Sequence, residues 1–396
     1  MVIPLVVLTL SVAGRAWAET YALQKIALVG DPAPGGGAFA AFEPIEAMGD
    51  FLLFEGSVEG DAGTVRALFL AGPGGLRRVV GQGDRLPDGG QLLEFSSPEV
   101  NSAGAITFRA AIRGGGAPMA IFLAEGSTLR RVVAVREGSP TGGVLREMSD
   151  VSLSDGGEVA FIARIEGGQT PQAILLASEG TLRPLLMAGE ATPVGGTFHE
   201  LQDISMNRDG AVAFEARVYG GRSPSGIFAA VGDQTRVVAA VGDPTPVGGT
   251  FKDVALPTMN DHQEVIFWGS VEGSDHPSGL FRWQNGRLTK VVARGDAAPG
   301  GGSFSFITLS YRLNGDGTMS FRADLTDSKG NAGIFLASRE GLRRVVGVGD
   351  PVPSGGTVHD LDFPVGREAG RVIFQAGLGD GPSTSGLFQA VPKGQR

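Results

Sequence analysis

Residues 342–374 read LRRVVGVGDPVPSGGTVHDLDFPVGREAGRVIF, and recognisable versions of this stretch recur along the chain. An acidic residue, usually in a Gly-Asp-x-x-Pro setting, falls at Asp31, Asp84, Glu137, Glu190, Asp243, Asp296 and Asp350, at steps of 53, 53, 53, 53, 53 and 54. A phenylalanine keeps the same beat at Phe54, Phe108, Phe161, Phe214, Phe267, Phe321 and Phe374. Two residues after each stands only Gly or Ala: Gly56, Ala110, Ala163, Ala216, Gly269, Ala323 and Ala376. Self-similarity at a fixed period of this size marks a solenoid, a propeller or an array.

The second unit shows what one repeat can build. LRRVV (residues 76–80) is one strand, and GQGDRLPDGG after it is a loop whose Gly and Pro supply turn angles. A second strand spans 92–100, the turn NSAG follows, and AITFRAAI (105–112) alternates buried Phe108 and Ala110 with outward residues at period two. MAIFLA (119–124) is the fourth strand. Four strands in about 53 residues make one blade, and propellers commonly carry 4 to 8 blades. The expectation is an all-β, seven-bladed β-propeller. Its opening segment, LQKIALVGD, matches the outer strand of a unit, so residues 23–30 should pair beside residues 386–390 and close the ring. An open solenoid is the rival, with both ends uncapped.

Composition agrees with this reading. The 396 residues are 42% hydrophobic and 19% charged, with 64 Gly and no Cys, which fits short strands and tight turns and removes disulfides and thiol chemistry. A formal net charge of -9 argues against a nucleic-acid partner. Residues 1–18, MVIPLVVLTLSVAGRAWA, carry an apolar run ending in the small-x-small pattern Ala16-Trp17-Ala18. They are expected to be a signal peptide cleaved after Ala18, leaving residues 19–396 as one secreted or periplasmic propeller domain with no membrane span, acting as a monomer.

The turn-and-strand motif NSAGAITF, with NRDGAVAF and NGDGTMSF, resembles the NxxGxxAF tandem-repeat family of secreted bacterial proteins, and the arrangement also looks like the propeller of the Tol translocation system. The first resemblance implies export and repeat architecture, and it implies no particular activity.

Three columns could carry chemistry. The acidic column forms a ring on one face, where Asp in turns usually caps backbone N–H groups. Asp31, Asp84, Asp243, Asp296 and Asp350 are the weak candidates for Ca²⁺, the one cofactor considered. A basic column, Arg77, Arg130, Arg183, Arg236 and Arg343, with Arg78, Arg131 and Arg344 beside three of them, opens the outer strands and is expected toward the opposite face. Arg146, His199, Lys252 and His359 align where the inner strand begins and could form a cationic crescent at the channel mouth for an anionic ligand. No P-loop, dinucleotide fingerprint, HExxH or GxSxG motif is present. The sequence thus leans toward a non-catalytic binding or scaffold module for an unidentified protein or envelope ligand. The competing reading is a hydrolase or lyase with its active site at the channel mouth and His199 and His359 as bases.

Overall fold

The computed structural model describes residues 21–393 apart from 62 and 329, so the expected signal segment lies outside the described residues. Seven antiparallel sheets follow one another, with blades one to six occupying 38–81, 91–134, 144–187, 197–240, 250–293 and 303–347. In each, sequence order is sheet order, from an inner strand to an outer one. The seventh blade is completed from both ends of the chain: Tyr21–Leu28 pairs with Ser385–Pro392, in the register Leu23↔Ala390 and Leu28↔Gly386. The ring is therefore closed, as the phase of the repeats required.

The phenylalanine column is the centre of every blade. Phe108 stands opposite Phe122 across neighbouring strands with ring centroids 5.8 Å apart, and Phe214/Phe228, Phe267/Phe281, Phe321/Phe335 and Phe374/Phe388 repeat the pair at 5.6–5.9 Å. The small residue two places on is buried because an aromatic ring occupies the space beside it. A Cβ on Gly269 would lie 2.7 Å from the Phe251 ring, and one on Gly56 2.9 Å from Phe69. Ala216, fully buried, obeys the same constraint. Ala216→Leu is expected to destabilise by about 1–3 kcal/mol through overpacking, read as a lower urea midpoint with an unchanged slope.

The Asn-x-x-Gly turns do more than reverse the chain. Asn101 Oδ1 accepts the N–H groups of Ala103 and Ala105, while its Nδ2 donates to the Ser154 carbonyl of the next blade at 3.1 Å. Asn207 donates to Asn260, Asn260 to Asn314 and Asn314 to Arg367 in the same way, at 3.2–3.4 Å. Arg367 carries the belt across the closure by donating to the Gly49 carbonyl at 2.6 Å. The buried asparagines thus join blade to blade, which explains their place better than turn propensity alone. Asn207→Ala should cost about 1–3 kcal/mol, since it leaves the buried Asn260 carbonyl without that donor; an unchanged melting temperature would refute the belt.

Candidate active site in the central channel

The seven inner strands line a central channel, and each is kinked twice. Near its start every inner strand slips register by one residue, and the bulged-out residues are Ala40, Leu93, Arg146, His199, Lys252, Ser305 and His359. The expected crescent thus occupies a real structural column, and its four members are exposed. Arg146 pairs with Glu166, and Glu200, next to His199, lies 3.4 Å from Arg217. His199 and His359 sit on blades four and seven, three apart in a ring of seven, and no contact joins them.

The acidic column is held by its own turns. Asp31, Asp84, Asp243, Asp296 and Asp350 each accept a backbone N–H from three residues upstream at 2.8–3.0 Å. Each also meets a cation: Lys25, Arg78, Arg222, Lys290 and Arg344 respectively. Among the described residues no group of three or more His, Asp or Glu is arranged to hold a metal. These pairs also correct the basic column. Arg78, Arg131 and Arg344 do not point to the opposite face, because their long side chains run along the strand to Asp84, Glu137 and Asp350, at 2.7–3.0 Å. Arg130 and Arg343 do turn the other way, to Glu125 and Glu340.

The second kink lies deeper, at the waist of the channel. Register slips between Ser96 and Glu99, Ser149 and Ser152, Gln202 and Ser205, and Ala255 and Thr258. Within these bulges four non-glycine residues adopt positive φ: Ser97 at 48°, Asp150 at 46°, Asp203 at 45° and Leu256 at 57°. Such backbone costs on the order of 1–3 kcal/mol per residue and clusters at functional sites. Here it turns the side chains of Ser97, Asp150, Asp203 and Leu256 onto a cavity of about 320 Å³, which Glu99, Thr258, Leu309, Tyr311 and Arg312 also line.

Below the waist a ring takes one residue from each inner strand: Glu46, Glu99, Ser152, Ser205, Thr258, Arg312 and Gly366. Most members accept a backbone N–H of the next blade. Glu46 bonds Val100 at 2.9 Å, Glu99 bonds Leu153 at 2.7 Å, Ser152 bonds Met206 at 3.0 Å and Ser205 bonds Met259 at 3.0 Å. Glutamate instead of serine at two positions therefore places carboxyls where the channel offers little solvent. Burial, with the neighbouring Glu46 charge, pushes the Glu99 carboxyl up to about 8, against the pull of Arg312, the Leu153 N–H and the Ser152 hydroxyl. Burial raises Glu46 too, opposed by Arg312 and the Val100 N–H.

A second carboxyl pair stands at the waist. Burial, the Asp203 charge and a hydrogen bond to Asp203 push Glu215 up to about 7, so below neutrality Glu215 holds a proton that it donates to Asp203. Burial and Asp150 raise Asp203 as well, and the bond from Glu215 counters them. Within the pair the bond favours the charge on Asp203, which faces the cavity and is held by Glu215.

The model of the family of unknown function DUF7453 matches residues 10–392. The chain belongs to DUF7453. No curated protein matches the sequence of this DUF7453 member. Solved structures do share its fold. The acylaminoacyl peptidase of Pyrococcus horikoshii aligns with a TM-score of 0.51 at 8% identity, covering 88% of this chain and 51% of that one. A puromycin-hydrolyzing peptidase of Mycobacterium tuberculosis aligns at 0.50 and 13%, covering 87% and 51%. A puromycin hydrolase mutant aligns at 0.52 and 14%, covering 90% and 54%. The chain spans about half the length of these enzymes, and at such identities the likeness is one of fold. It nevertheless overturns the leaning toward a protein without chemistry: this propeller recurs in hydrolytic enzymes, so the architecture gives no support to a non-catalytic assignment. Among the described residues no helix is long and apolar enough to cross a membrane.

Proposed function

We propose that this DUF7453 chain is an exported hydrolase whose active centre is the waist of the propeller channel. One observation carries the reading. One cavity is lined by Glu99, which keeps its proton at neutral pH, and by Asp203, whose charge the bond from Glu215 favours. Carboxyls whose environments drive their pKa values apart supply an acid and a base at the same pH. Asp203 takes a proton from the attacking water and Glu99 gives one to the leaving group, so the pair's proton count is restored when solvent exchanges them. Glu215 is a positioning residue that holds Asp203 by its hydrogen bond. The fold shared with peptidases and the strained bulges that present Ser97, Asp150 and Asp203 support the same reading. His199 and His359, exposed near the start of inner strands on separate blades, have no part in it.

The test is a panel of chromogenic peptide, ester and glycoside substrates. Turnover should fall at least about 100-fold in Asp203→Asn and Glu99→Gln, with His199→Ala and His359→Ala like the parent. The kcat/KM profile should be bell-shaped, with its alkaline limb near the Glu99 value of about 8 and that limb missing in Glu99→Gln. Full activity in Glu99→Gln, or no hydrolysis of any member of the panel, would sink the proposal.

A further inference from the structure

The waist is asymmetric. At the same spacing of 53 or 54 residues, the seven inner strands present Pro44, Ser97, Asp150, Asp203, Leu256, Leu309 and Phe363. Blades two to four therefore contribute a polar arc and blades five to seven an apolar one. Leu309 and Phe363 are 47% and 44% exposed; Leu93 and Phe306, nearer the start of their inner strands, are exposed as well, whereas Phe304 and Val358 are buried. The apolar arc is left open to whatever enters the channel.

Arg312 adds a third element. It lines the cavity, yet among the described residues its guanidinium takes part in no hydrogen bond or ion pair, whereas most other described arginines have such a partner. Burial acts against its charge, and the carboxyls beside it, Glu46 above all, outweigh that effect. The fork of donors on the charged Arg312 is free to receive a planar oxygen acceptor. Across the same cavity the Asp150 carboxyl has no hydrogen-bonded or ion-paired partner among the described residues, and it suits an ammonium.

We infer that the waist recognises a small zwitterion with an apolar side chain, of the size of a dipeptide, its carboxylate on Arg312, its ammonium on Asp150 and its side chain against Leu256 and Leu309. A cavity of about 320 Å³ is at the small end of ligand sites, which run from about 300 to 1,000 Å³, so long polymers are excluded from this chamber. This assignment rests on the reading of the channel as the active centre, and it names the substrate or product that this centre holds.

The experiment is calorimetric titration of the Glu99→Gln protein, a neutral isostere that leaves the ligand unconsumed, with leucyl-leucine, its N-acetyl derivative, its C-terminal amide and glycyl-glycine. Leucyl-leucine should bind, and each of the other three should bind at least about tenfold more weakly. Adding Arg312→Met should erase the preference for acid over amide and leave the preference for free amine. Adding Asp150→Asn should do the reverse. Arg312→Lys, which keeps the charge and loses the fork, should recover part of the acid preference and guards against misreading a misfolded Met variant. Equal binding of the capped peptides, or no binding of leucyl-leucine at millimolar concentration, overturns the inference. Selective binding with no hydrolysis by the parent protein would instead remove the hydrolase reading and leave the ligand class standing. Hydrolysis of neutral capped substrates without dipeptide binding would do the opposite.

Discussion

Raising the pH from 5 to 8.5 is expected to lower the urea midpoint substantially, with most of the loss above pH 6. Glu99 and Glu215 have folded-state pKa values of about 8 and about 7, against an ordinary value of 4.5. Between these limits the folded chain binds protons that the unfolded chain has released, so stability falls as pH rises. The favourable contribution is complete below about pH 4.5, declines through the window and is gone above the folded values. One pKa unit corresponds to about 1.4 kcal/mol. The ceilings are therefore on the order of 5 kcal/mol for Glu99 and 3 kcal/mol for Glu215, reduced by water entering the channel to contact the ionised forms. Toward acid the sign reverses. Burial disfavours the charge of Asp155, but the Ser102 N–H and hydroxyl and Arg208 outweigh it and hold its pKa below the usual value. That stabilisation is present above the unfolded pKa and lost as pH falls, so the optimum lies near pH 4.5–5. Glu99→Gln and Glu215→Gln should each flatten the alkaline decline, and both should be more stable than the parent at pH 8.5. A midpoint that rises or stays level from pH 5 to 8.5 would show that neither carboxyl is held protonated.

Part of this was legible in the sequence and part was not, for identifiable reasons. The blades, their number and the closing strand follow from Phe108-type and Asp84-type columns, because strand pairing repeats whatever spaces the core residues. The candidate site is not legible in the repeat because it resides in what breaks it. Ser152 and Ser205 mark the ring position as a small hydroxyl that accepts the next blade's N–H, and Thr258 keeps a hydroxyl there. Glu46, Glu99 and Arg312 are substitutions in that column, recognisable by aligning every position rather than the prominent ones. The inner-strand bulges are harder to foresee. Ser97, Asp150 and Leu256 share positive φ without sharing a residue type, since the backbone there is dictated by neighbouring strands and not by local propensity alone. His199 and His359 drew notice as rare residues in register, but the bulge that aligns them also turns them out to solvent.

Deletion of the first thirty residues should do more damage than any single substitution. The strand Tyr21–Leu28 provides seven paired residues along Ser385–Pro392, and Val29 extends the ladder by donating to the Ser385 carbonyl at 3.1 Å while its own carbonyl accepts the Ser383 hydroxyl at 3.1 Å. Ala27 and Tyr21 become buried in this contact. A chain that starts at Asp31 has an exposed strand edge at Ser385–Pro392, which is a template for pairing with another copy. Domains retain only about 5–15 kcal/mol of net stability, and a missing eight-residue strand with its buried face removes a large fraction of it. The expected result is a loss of the single cooperative melt together with self-association at micromolar concentration. Because the lost element is a strand added to an edge, a synthetic peptide of residues 19–30 should restore both the monomer and the transition, and a version with Ala27→Pro should fail for want of the ladder N–H. A truncated chain that stays monomeric and melts like the parent would mean that the belt of Asn101, Asn207, Asn260 and Arg367 closes the ring without help from the clasp.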